Sequence, residues 1–323
     1  MPVRRGENQS SELQPLSLVE DVVAYVTLGL LCGCIHLYFV MLPFVLYYLF
    51  HGSRVAIAVT VIYIVLALHP LSHKPWAAFN NSWLFALWHK YFAYVWEVHP
   101  TLEKGRKYIF LEFPHAIFPM GQVLSAAVVR TAFPGDTICG VAADVIFRFP
   151  IFRHVIAWTG TRGASRKNIL KIIDEGCACT VLPGGIAEIF VCNHETEDIY
   201  FKNRKQIIRL ALEEGINIIP GFFYGNSKIF NPLGTRGGTD SWLSRISRKL
   251  RASIVFYTGR NGLPVPLRHP LKMVIGDIIP VECAIAHPTD QQVDEFHKQV
   301  MDAIASMYEE YKPEWEKRKL VIH

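Results

Sequence analysis

His115 is the histidine best placed to act as a general base. It follows a strongly apolar segment, Lys107–Phe113, and a turn at Pro114, and a helix-like segment comes soon after it. Ligands of open α/β sheets bind outside the carboxyl ends of the strands, on loops held by rigid elements. An imidazole at such an edge could take a proton from a substrate hydroxyl. An ordinary turn histidine is the alternative, so other residues must decide between the two.

A second motif brings a carboxylate toward the same predicted sheet edge. The chain runs from a predicted strand into Pro183-Gly184-Gly185, whose glycines permit a tight turn, and then reaches Glu188. An acid in the first turn of a helix can simply favour the helix dipole. Beside His115, however, Glu188 could orient the imidazole or brace the substrate. We therefore predict His115 and Glu188 as the catalytic pair.

Two basic clusters, at 160–167 and 200–205, each begin a predicted helix on loops near this edge. Backbone N–H groups at a helix start, together with cations, form an anion site. A solvated face is the alternative for each cluster alone. Next to a His/Glu edge, the clusters predict a phosphate-bearing substrate such as coenzyme A. The predicted binding residues are Arg162, Ser165, Arg166, Asn203, Arg204 and Lys205, with Gly184 and Gly185.

Short apolar strands alternate with helical stretches from Lys107 onward. This alternation predicts an α/β domain whose mostly parallel central sheet is flanked by helices. The predicted strands are 107–113, 137–142, 177–182, 216–223, 253–257 and 271–276. The predicted helices are 121–132, 144–158, 166–175, 203–214, 240–251 and 289–311.

The N-terminal part of the chain has a different composition. With His36 neutral, no charged side chain occurs from Val22 to Phe50, and a second apolar run covers Val55–Leu68. The first run exceeds a hydrocarbon thickness of about 30 Å, whereas the second is short for a full span. We predict a membrane-embedded helical hairpin at 22–70, transmembrane or re-entrant, after a polar tail at 1–21. A buried hairpin of a soluble protein is the alternative.

Residues 71–100 are dense in tryptophan and other aromatic residues. Such density is typical of the membrane–water interface, so we predict an interfacial aromatic helix within a domain at 71–323. A buried amphipathic helix is the alternative, and both could hold together. A hairpin leaves both flanks on one face of the membrane. The basic residues after it indicate that this face, including the tail at 1–21, is cytosolic.

The net charge and the cysteines of the chain indicate which ligands and metals the protein is expected to bind. A net charge of +5 and a pI near 8.8 suit an anionic leaflet or a phosphorylated ligand. The charge is too modest and scattered to indicate nucleic acid. Seven cysteines without framework spacing indicate reduced thiols. Cys177 and Cys179 have no second half-site nearby, so we expect no metal site.

Taken together, the motifs resemble those of the diacylglycerol acyltransferase type 2 family, with its monoacylglycerol and wax-ester acyltransferase relatives. The resemblance covers most of the chain, and its motifs together are highly specific. They are the hairpin, Pro114-His115, Ser165-Arg166, Pro183-Gly-Gly-x-x-Glu188, Asn203-Arg204-Lys205 with Leu210-Ala-Leu-x-x-Gly215, Ile218-Ile-Pro220, Phe223-Tyr-Gly225, Gly262-Leu-Pro264 and Val274-Ile-Gly276-x-x-Ile279-Pro280.

One motif departs from the family. The family's His-Pro-His-Gly reads Phe113-Pro114-His115-Ala116 here, which keeps the proposed base and loses the first histidine and the glycine. The broader glycerolipid acyltransferases carry His-x4-Asp, and Met120 stands where that acid would be. The resemblance therefore implies a remote partner for His115, with Glu188 the best candidate. Glu112 is nearer in sequence, but its direction on the strand is open.

The resemblance implies a membrane-bound O-acyltransferase of the endoplasmic reticulum membrane, with its catalytic domain facing the cytosol and lipid droplets as a second location. It would move an acyl chain from acyl-CoA, a co-substrate rather than a cofactor, to a neutral glycerolipid acceptor, making triacylglycerol from diacylglycerol. Backbone N–H groups near Gly184-Gly185 or Gly121 would hold the oxyanion.

Several alternatives remain open at this stage. Monoacylglycerol or a fatty alcohol could be the acceptor, and the chain could form a homo-oligomer. A lipid hydrolase would need Gly-x-Ser-x-Gly, which does not occur in the sequence. A catalytically degenerate lipid-binding membrane protein is the alternative of another class, supported by the altered Phe113-Pro-His-Ala116 motif.

Overall fold

An eight-stranded sheet forms the centre of the protein. The computed structural model describes residues 3–6, 10–235 and 238–323. The order of the strands across the sheet is β1-β2-β11-β8-β3-β6-β4-β5. These strands are β1 Arg4–Arg5, β2 Val95–Val98, β3 Tyr108–Phe113, β4 Ile138–Ala142, β5 Arg162–Gly163, β6 Ala178–Val181, β8 Asn217–Tyr224 and β11 Lys272–Ile275.

The sheet is mostly parallel, as predicted. Strand β3 runs parallel to its neighbours β6 and β8, and β4 runs parallel to both β6 and β5. Strand β11 reverses direction against β8, and β2 runs parallel to β11. Because β8, β3 and β6 point the same way, the segments that follow Tyr224, Phe113 and Val181 meet at one edge.

Helices cover both faces of the sheet, and each face has its own hydrophobic core. Along β3, Tyr108 and Phe110 pack into one core, while Ile109, Leu111 and Phe113 pack into the other. The helices are α1 Leu18–Phe50, α2 Arg54–Leu68, α3 Ala77–Asn80, α4 Trp83–Tyr91, α5 Met120–Ser125, α6 Val129–Ala132, α7 Phe152–Trp158, α8 Arg166–Asp174, α9 Gly185–Val191, α10 Lys205–Glu214, α11 Trp242–Leu250 and α12 Asp290–Glu310.

Most predicted strands and helices occur within a few residues of their predicted bounds, but two predicted helices are interrupted. The stretch predicted at 121–132 forms α5 and α6 with a break between them. The stretch predicted at 144–158 begins as a 3₁₀ turn and becomes α7 only after Pro150 and Ile151. Pro150 cannot continue a helix, and Ile151 has a φ of +65°.

The two N-terminal helices form the predicted hairpin, and its first half docks on the α/β domain. Helix α1 begins at Leu18 with a capping box between Ser17 and Glu20, so it takes in the end of the tail predicted at 1–21. Its buried residues all lie between Ala24 and Gly33. Beyond them, most apolar side chains of α1 and α2 are exposed. Among the helices of the described residues, α1 is the one that is long and apolar enough to cross a membrane.

The aromatic segment 71–100 folds as two short helices and a strand rather than as one helix. Helices α3 and α4 are followed by β2, which lies inside the sheet between β11 and β1. Six of the aromatic side chains are buried: Phe85, Trp88, Tyr91, Phe92, Tyr94 and Trp96. Trp76 and Trp83 remain 48% and 68% exposed. The segment therefore contributes mainly to the core, and only its beginning presents tryptophan to the surroundings.

The C-terminal residues form a strand that pairs with the segment just before Tyr200. Strand β12 (Leu320–Ile322) runs parallel to β7 (Glu197–Ile199) in a separate two-stranded sheet. Arg318 forms a buried ion pair with Glu197. The remaining strands, β9 (Asn231–Leu233) and β10 (Phe256–Thr258), form an antiparallel pair.

Candidate active site

His115 lies at the carboxyl end of β3, directly after the turn at Pro114. It is half-buried, and its Nδ1 lies 2.9 Å from the carbonyl oxygen of Ala116. Because a carbonyl oxygen only accepts, this bond assigns the ring proton to Nδ1 and leaves Nε2 as the basic nitrogen. Burial lowers the pKa of His115, which keeps the ring neutral near pH 7. The side chain therefore has the tautomer and charge of a general base.

Glu188 is fully buried in α9, and its carboxylate holds the backbone around His115. Oε1 accepts the main-chain N–H of His115, and Oε2 accepts the main-chain N–H of Tyr200 at 3.0 Å. Burial raises the pKa of Glu188 to about 7, partly offset by the backbone donors and by Arg204. The hydrogen bond thus fixes the turn that carries His115, rather than its imidazole as the sequence had led us to expect.

The glycine turn before α9 is shaped by this carboxylate. A Cβ at Gly184 would lie 2.0 Å from Oε2 of Glu188, so only glycine fits. Gly185 has a φ of +54°, in the region that favours glycine. The carbonyl of Gly184 accepts a hydrogen bond from Nη2 of Arg204 at 3.1 Å. The predicted Pro-Gly-Gly turn, Glu188 and Arg204 therefore form one structural unit.

Asn226 completes the support of the His115 turn, and sequence reasoning missed it. This residue is 1% exposed and follows β8, the other neighbour of β3. Its Oδ1 accepts the N–H of Gly121 at 2.8 Å, and its Nδ2 donates to the Pro114 carbonyl at 3.3 Å and to Oε1 of Gln122 at 2.7 Å. Nε2 of Gln122 donates to the same Pro114 carbonyl at 3.1 Å. The sequence did contain one signal for Asn226, because the residue follows a strand whose carboxyl end lies at the same sheet edge as His115.

The N–H of Gly121 is thereby committed to Asn226, so this donor is not directed at a substrate oxyanion. A Cβ at Gly121 would also lie 2.6 Å from the ring of Phe223. Glycine at this position reflects the close approach of α5 to β8.

The second basic cluster borders the site through a cleft of about 320 Å³. Asn203 and Arg204 line this cleft opposite Leu182 and Pro183. The guanidinium of Arg204 also stacks over the ring of Tyr200, with 5.1 Å to the ring centroid. Lys205 instead forms an ion pair with Asp294 on α12 at 2.6 Å. Two of the three predicted residues of this cluster therefore face the cleft beside the Pro-Gly-Gly turn.

The first basic cluster lies farther from His115. Arg162 is on β5, and β6 and β4 separate that strand from β3, a distance of roughly 14 Å at the usual strand spacing. Arg162 pairs with Glu175, and Arg166 bonds Glu213 at 2.7 Å and Glu214 at 3.2 Å. Ser165 caps α8 by accepting the N–H of Asn168. The structure thus gives these three predicted residues structural partners and does not bring them against the His/Glu pair.

Glu112 points away from the site. It alternates with Phe113 along β3 and lines a cavity of about 30 Å³ between the sheet and helices α5 and α6. Its side chain is buried, Oε2 has no hydrogen-bond partner among the described residues, and burial raises its pKa to about 8. This placement settles the direction that the sequence left open and removes Glu112 as the partner of His115.

The structure shows the surroundings of both changed positions of the family motif, Phe113 and Ala116. Phe113 is fully buried, with its ring 5.1 Å from that of Phe201 in an edge-on contact. Ala116 has a φ of +51°, a conformation that glycine adopts without strain. The turn therefore has the backbone shape expected of the usual glycine, while Phe113 occupies an apolar site that a histidine would have to share with Phe201.

An α/β protein with a half-buried histidine at the carboxyl edge of its sheet is the class that this fold and site define. A sequence profile described as "Diacylglycerol acyltransferase" matches residues 46–323. The chain therefore belongs to the diacylglycerol acyltransferase family, a family of acyl-CoA-dependent O-acyltransferases, as its motifs led us to expect.

The names of curated relatives agree with this assignment. The chain is 25% identical to "Diacylglycerol O-acyltransferase 2-like protein 6" of Bos taurus, over 95% of each chain. It is also 25% identical to human "Diacylglycerol O-acyltransferase 2", over 93% of this chain and 79% of that protein. The bovine "2-acylglycerol O-acyltransferase 1" is 25% identical over 72% of this chain and 75% of its own.

A solved structure was also found, that of the 1-acyl-sn-glycerophosphate acyltransferase of Thermotoga maritima. It aligns with a TM-score of 0.44 and 12% identity, over 92% of this chain and all of that one.

Proposed function

We propose that this protein transfers an acyl chain from acyl-CoA to diacylglycerol, forming triacylglycerol, with His115 as the general base. The observation that carries the proposal is the bond from Nδ1 of His115 to the Ala116 carbonyl, which leaves Nε2 as a neutral base at the sheet edge. Membership of the diacylglycerol acyltransferase family supports the choice of reaction. The names of the human and bovine relatives support the choice of acceptor.

The reaction needs no covalent enzyme intermediate. Nε2 of His115 accepts the proton of the acceptor hydroxyl as its oxygen attacks the thioester carbonyl, and an ester bond forms as the carbon–sulfur bond breaks. The proton held on the imidazole is then available to the departing coenzyme A thiolate. Glu188 and Asn226 contribute by holding the turn of His115 in place, which keeps the base aligned with its substrate. We assign the oxyanion to donors of the Gly184–Gly185 turn.

Coenzyme A is assigned to the cleft beside that turn. Asn203 and Arg204 line the cleft, and Lys205 follows them at the start of α10. A guanidinium and a helix start together suit phosphate groups. The first cluster, Arg162, Ser165 and Arg166, is on the same side of the sheet but has acidic or capping partners. We therefore give the Arg204 cluster the larger share of coenzyme A binding.

The hairpin supplies the membrane setting of the reaction. Helix α1 is long enough to cross a bilayer. The exposed apolar parts of α1 and α2 extend from the segment of α1 that packs on the domain. We propose that the protein is embedded in the endoplasmic reticulum membrane with its catalytic domain on the cytosolic side, and that it also reaches lipid droplets. A two-chain glyceride would then enter laterally from the bilayer.

The acyltransferase assay tests the proposal directly. Membranes containing the His115→Ala variant should lose transfer of a labelled acyl chain from acyl-CoA to diacylglycerol, while the protein accumulates to the normal level and sediments with membranes. His73→Gln is the matched control, because the half-buried His73 also bonds a backbone carbonyl through Nδ1, at 2.8 Å from Thr161 O. Normal activity of His115→Ala would remove His115 as the base.

The same assay distinguishes a second acceptor. The bovine 2-acylglycerol acyltransferase relative makes monoacylglycerol the alternative substrate. Offering monoacylglycerol, diacylglycerol and a fatty alcohol separately, with one acyl-CoA, identifies the acceptor by which ester accumulates. Free fatty acid released without any acceptor would point to hydrolysis instead.

A further inference from the structure

Helix α11 presents its apolar face outward. Trp242, Ile246 and Leu250 recur every four residues along this helix and are 72%, 41% and 60% exposed. The side toward the domain carries Ser244 and Ser247, which are fully buried, and the half-buried Leu243 is the one apolar residue of α11 that packs against the core. A helix at a water-exposed surface has the opposite arrangement, with apolar residues inside and polar residues outside. The outer face of α11 therefore suits an apolar environment.

Basic side chains flank this apolar stripe. Arg245, Arg248, Lys249 and Arg251 are all exposed, and the described helix contains no acidic residue. One of them, Arg248, donates to the carbonyl of Thr239 on its own side of the helix. An apolar stripe containing tryptophan and bordered by cations is typical of a helix that lies in the plane of an anionic membrane surface.

Helix α11 is followed in the chain by a strand that contacts the hairpin. Strands β9 and β10 enclose α11 in sequence, and their paired residues Leu233 and Phe256 are 50% and 53% exposed. The ring of Phe256 lies 5.4 Å from that of His36, which is followed on α1 by the exposed Leu37 and Phe39. The exposed apolar strand pair β9–β10 thus lies between α11 and the hairpin along this part of the chain.

Helix α11 also packs against α9, the helix that carries Glu188. A membrane that contacts α11 would therefore lie next to an element of the active site. Such contact could bring the mouth of the site to the depth at which a glyceride diffuses.

We propose that α11 is a second membrane-contact element, which lies on the anionic phospholipid surface beside the hairpin through Trp242, Ile246 and Leu250 and through its flanking cations. Charge complementarity and the contact between the neighbouring strand β10 and the hairpin favour the bilayer over a second protein as the occupant of this face. The proposal extends the proposed function by assigning part of the site's access to α11, but its first test does not need activity.

Fluorescence quenching tests whether α11 enters the membrane. The full-length protein is reconstituted in vesicles whose phosphatidylcholine carries brominated acyl chains and which contain phosphatidylserine. Trp242→Phe should lower the quenching of total tryptophan fluorescence, because the ring at 242 is among those in contact with the brominated chains. Trp315→Phe is the control, since that half-buried ring packs against His269 near the C-terminus, and its loss should not lower quenching.

Equal quenching of the wild type and Trp242→Phe would overturn the proposal. So would a self-association that Trp242→Phe abolishes without any change in quenching, because a second copy would then cover the stripe. Both outcomes are read from the protein in vesicles, so they are independent of whether diacylglycerol is the acceptor.

Enzyme assays test the role of the cations. Adding phosphatidylserine to phosphatidylcholine vesicles should raise wild-type acyl transfer about threefold or more, and salt should remove the increase. Arg245→Gln/Arg248→Gln/Lys249→Gln should keep the activity in neutral vesicles and lose the increase.

The matched control removes the same charge elsewhere. Lys298, Lys317 and Lys319 are exposed and lie on α12 and the C-terminal segment. Lys298→Gln/Lys317→Gln/Lys319→Gln should respond to phosphatidylserine as the wild type does. If both triple variants lose the response, net charge rather than α11 is responsible. If neither does, the cations of α11 have no part in it, and either result overturns this half of the proposal.

Discussion

The carboxylate of Glu188 accepts the main-chain N–H of His115, so this acid holds the backbone of the histidine and not its ring. The second oxygen of Glu188 accepts the N–H of Tyr200, which ties the turn after β3 to the segment after β7. The imidazole is oriented separately, by the carbonyl of Ala116. If His115 is the base, as we propose, the ionisation of Glu188 should affect the rate through the position of the turn.

The pH dependence of the reaction should follow Glu188. Its pKa is raised to about 7 by burial, while the pKa of His115 is lowered by burial. The charged carboxylate accepts the two N–H groups more strongly, so kcat/KM should rise as the pH rises through about 7. In Glu188→Gln this acidic limb should disappear and kcat should fall roughly 10- to 100-fold, because the amide has only one accepting oxygen.

The measurement is a pH profile of acyl transfer for both proteins. Because the pKa of the acid is raised on folding, its contribution to stability is fully present below about pH 4.5 and is lost as the pH rises to about 7. Thermal unfolding should therefore show the wild type losing stability relative to Glu188→Gln across this range. An unchanged acidic limb in the variant would assign the limb to another group.

Asn226→Ala should weaken both stability and catalysis. The substitution leaves the N–H of Gly121 and Oε1 of Gln122 without their buried partner, which costs about 2–4 kcal/mol of unfolding free energy. Because the turn at Pro114 loses one of its two donors, kcat should fall while KM for acyl-CoA stays within about twofold.

A double-mutant cycle identifies the origin of this effect. The side chains of Gln122 and Asn226 both donate to the Pro114 carbonyl and are hydrogen-bonded to each other. The effects of Gln122→Ala and Asn226→Ala on the unfolding free energy should therefore be coupled by about 0.5–3 kcal/mol. Gln291→Ala, an exposed substitution on α12, is the control and should change the unfolding free energy by less than about 0.5 kcal/mol. Additive losses of unfolding free energy in the two variants would show that Gln122 and Asn226 do not support the Pro114 turn together.

The edge of the sheet was predictable because its strands have a clear sequence pattern. The segments ending at Phe113, Val181 and Tyr224 are short apolar runs followed by turn residues, and parallel strands must bring these ends together. His115 and Glu188 could therefore be placed at one site from sequence alone. Which atoms they bond could not, since a carboxylate near a histidine can reach either its ring or its backbone.

Other features depended on neighbours that are distant in the chain. The aromatic residues of 71–100 fit a membrane interface or a core equally well by composition. Their burial follows from β2 pairing with β11, which is more than 170 residues later in the sequence. Asn226 looks like an ordinary turn residue until α5 is placed against it. In the same way, the acidic partners of Arg166 belong to α10, and no local pattern signals them.

Arg204 and Arg166 should differ in their effect on coenzyme A binding. Arg204 lines the cleft beside Gly184, whereas Arg166 is an exposed residue paired with Glu213 and Glu214. Arg204→Gln should raise KM for acyl-CoA about fivefold or more, as expected for the loss of a phosphate contact. Arg166→Gln should change KM by less than about twofold and stability by at most about 1 kcal/mol. Initial rates at varied acyl-CoA check both values, and the reverse order would move coenzyme A to the first cluster.

Restoring glycine after the base should relieve strain in the catalytic turn. Ala116 has a φ of +51°, where a Cβ costs about 1–2 kcal/mol, and glycine adds up to about 1 kcal/mol of unfolded-state entropy. Ala116→Gly should therefore leave stability unchanged or raise it by about 1 kcal/mol, and activity should be retained because the Nδ1 bond of His115 uses only the backbone carbonyl at 116. Ala116→Val, with a branched side chain in the same conformation, should lower Tm and activity together. A marked loss of stability in Ala116→Gly would show that the methyl group packs favourably enough to outweigh the strain.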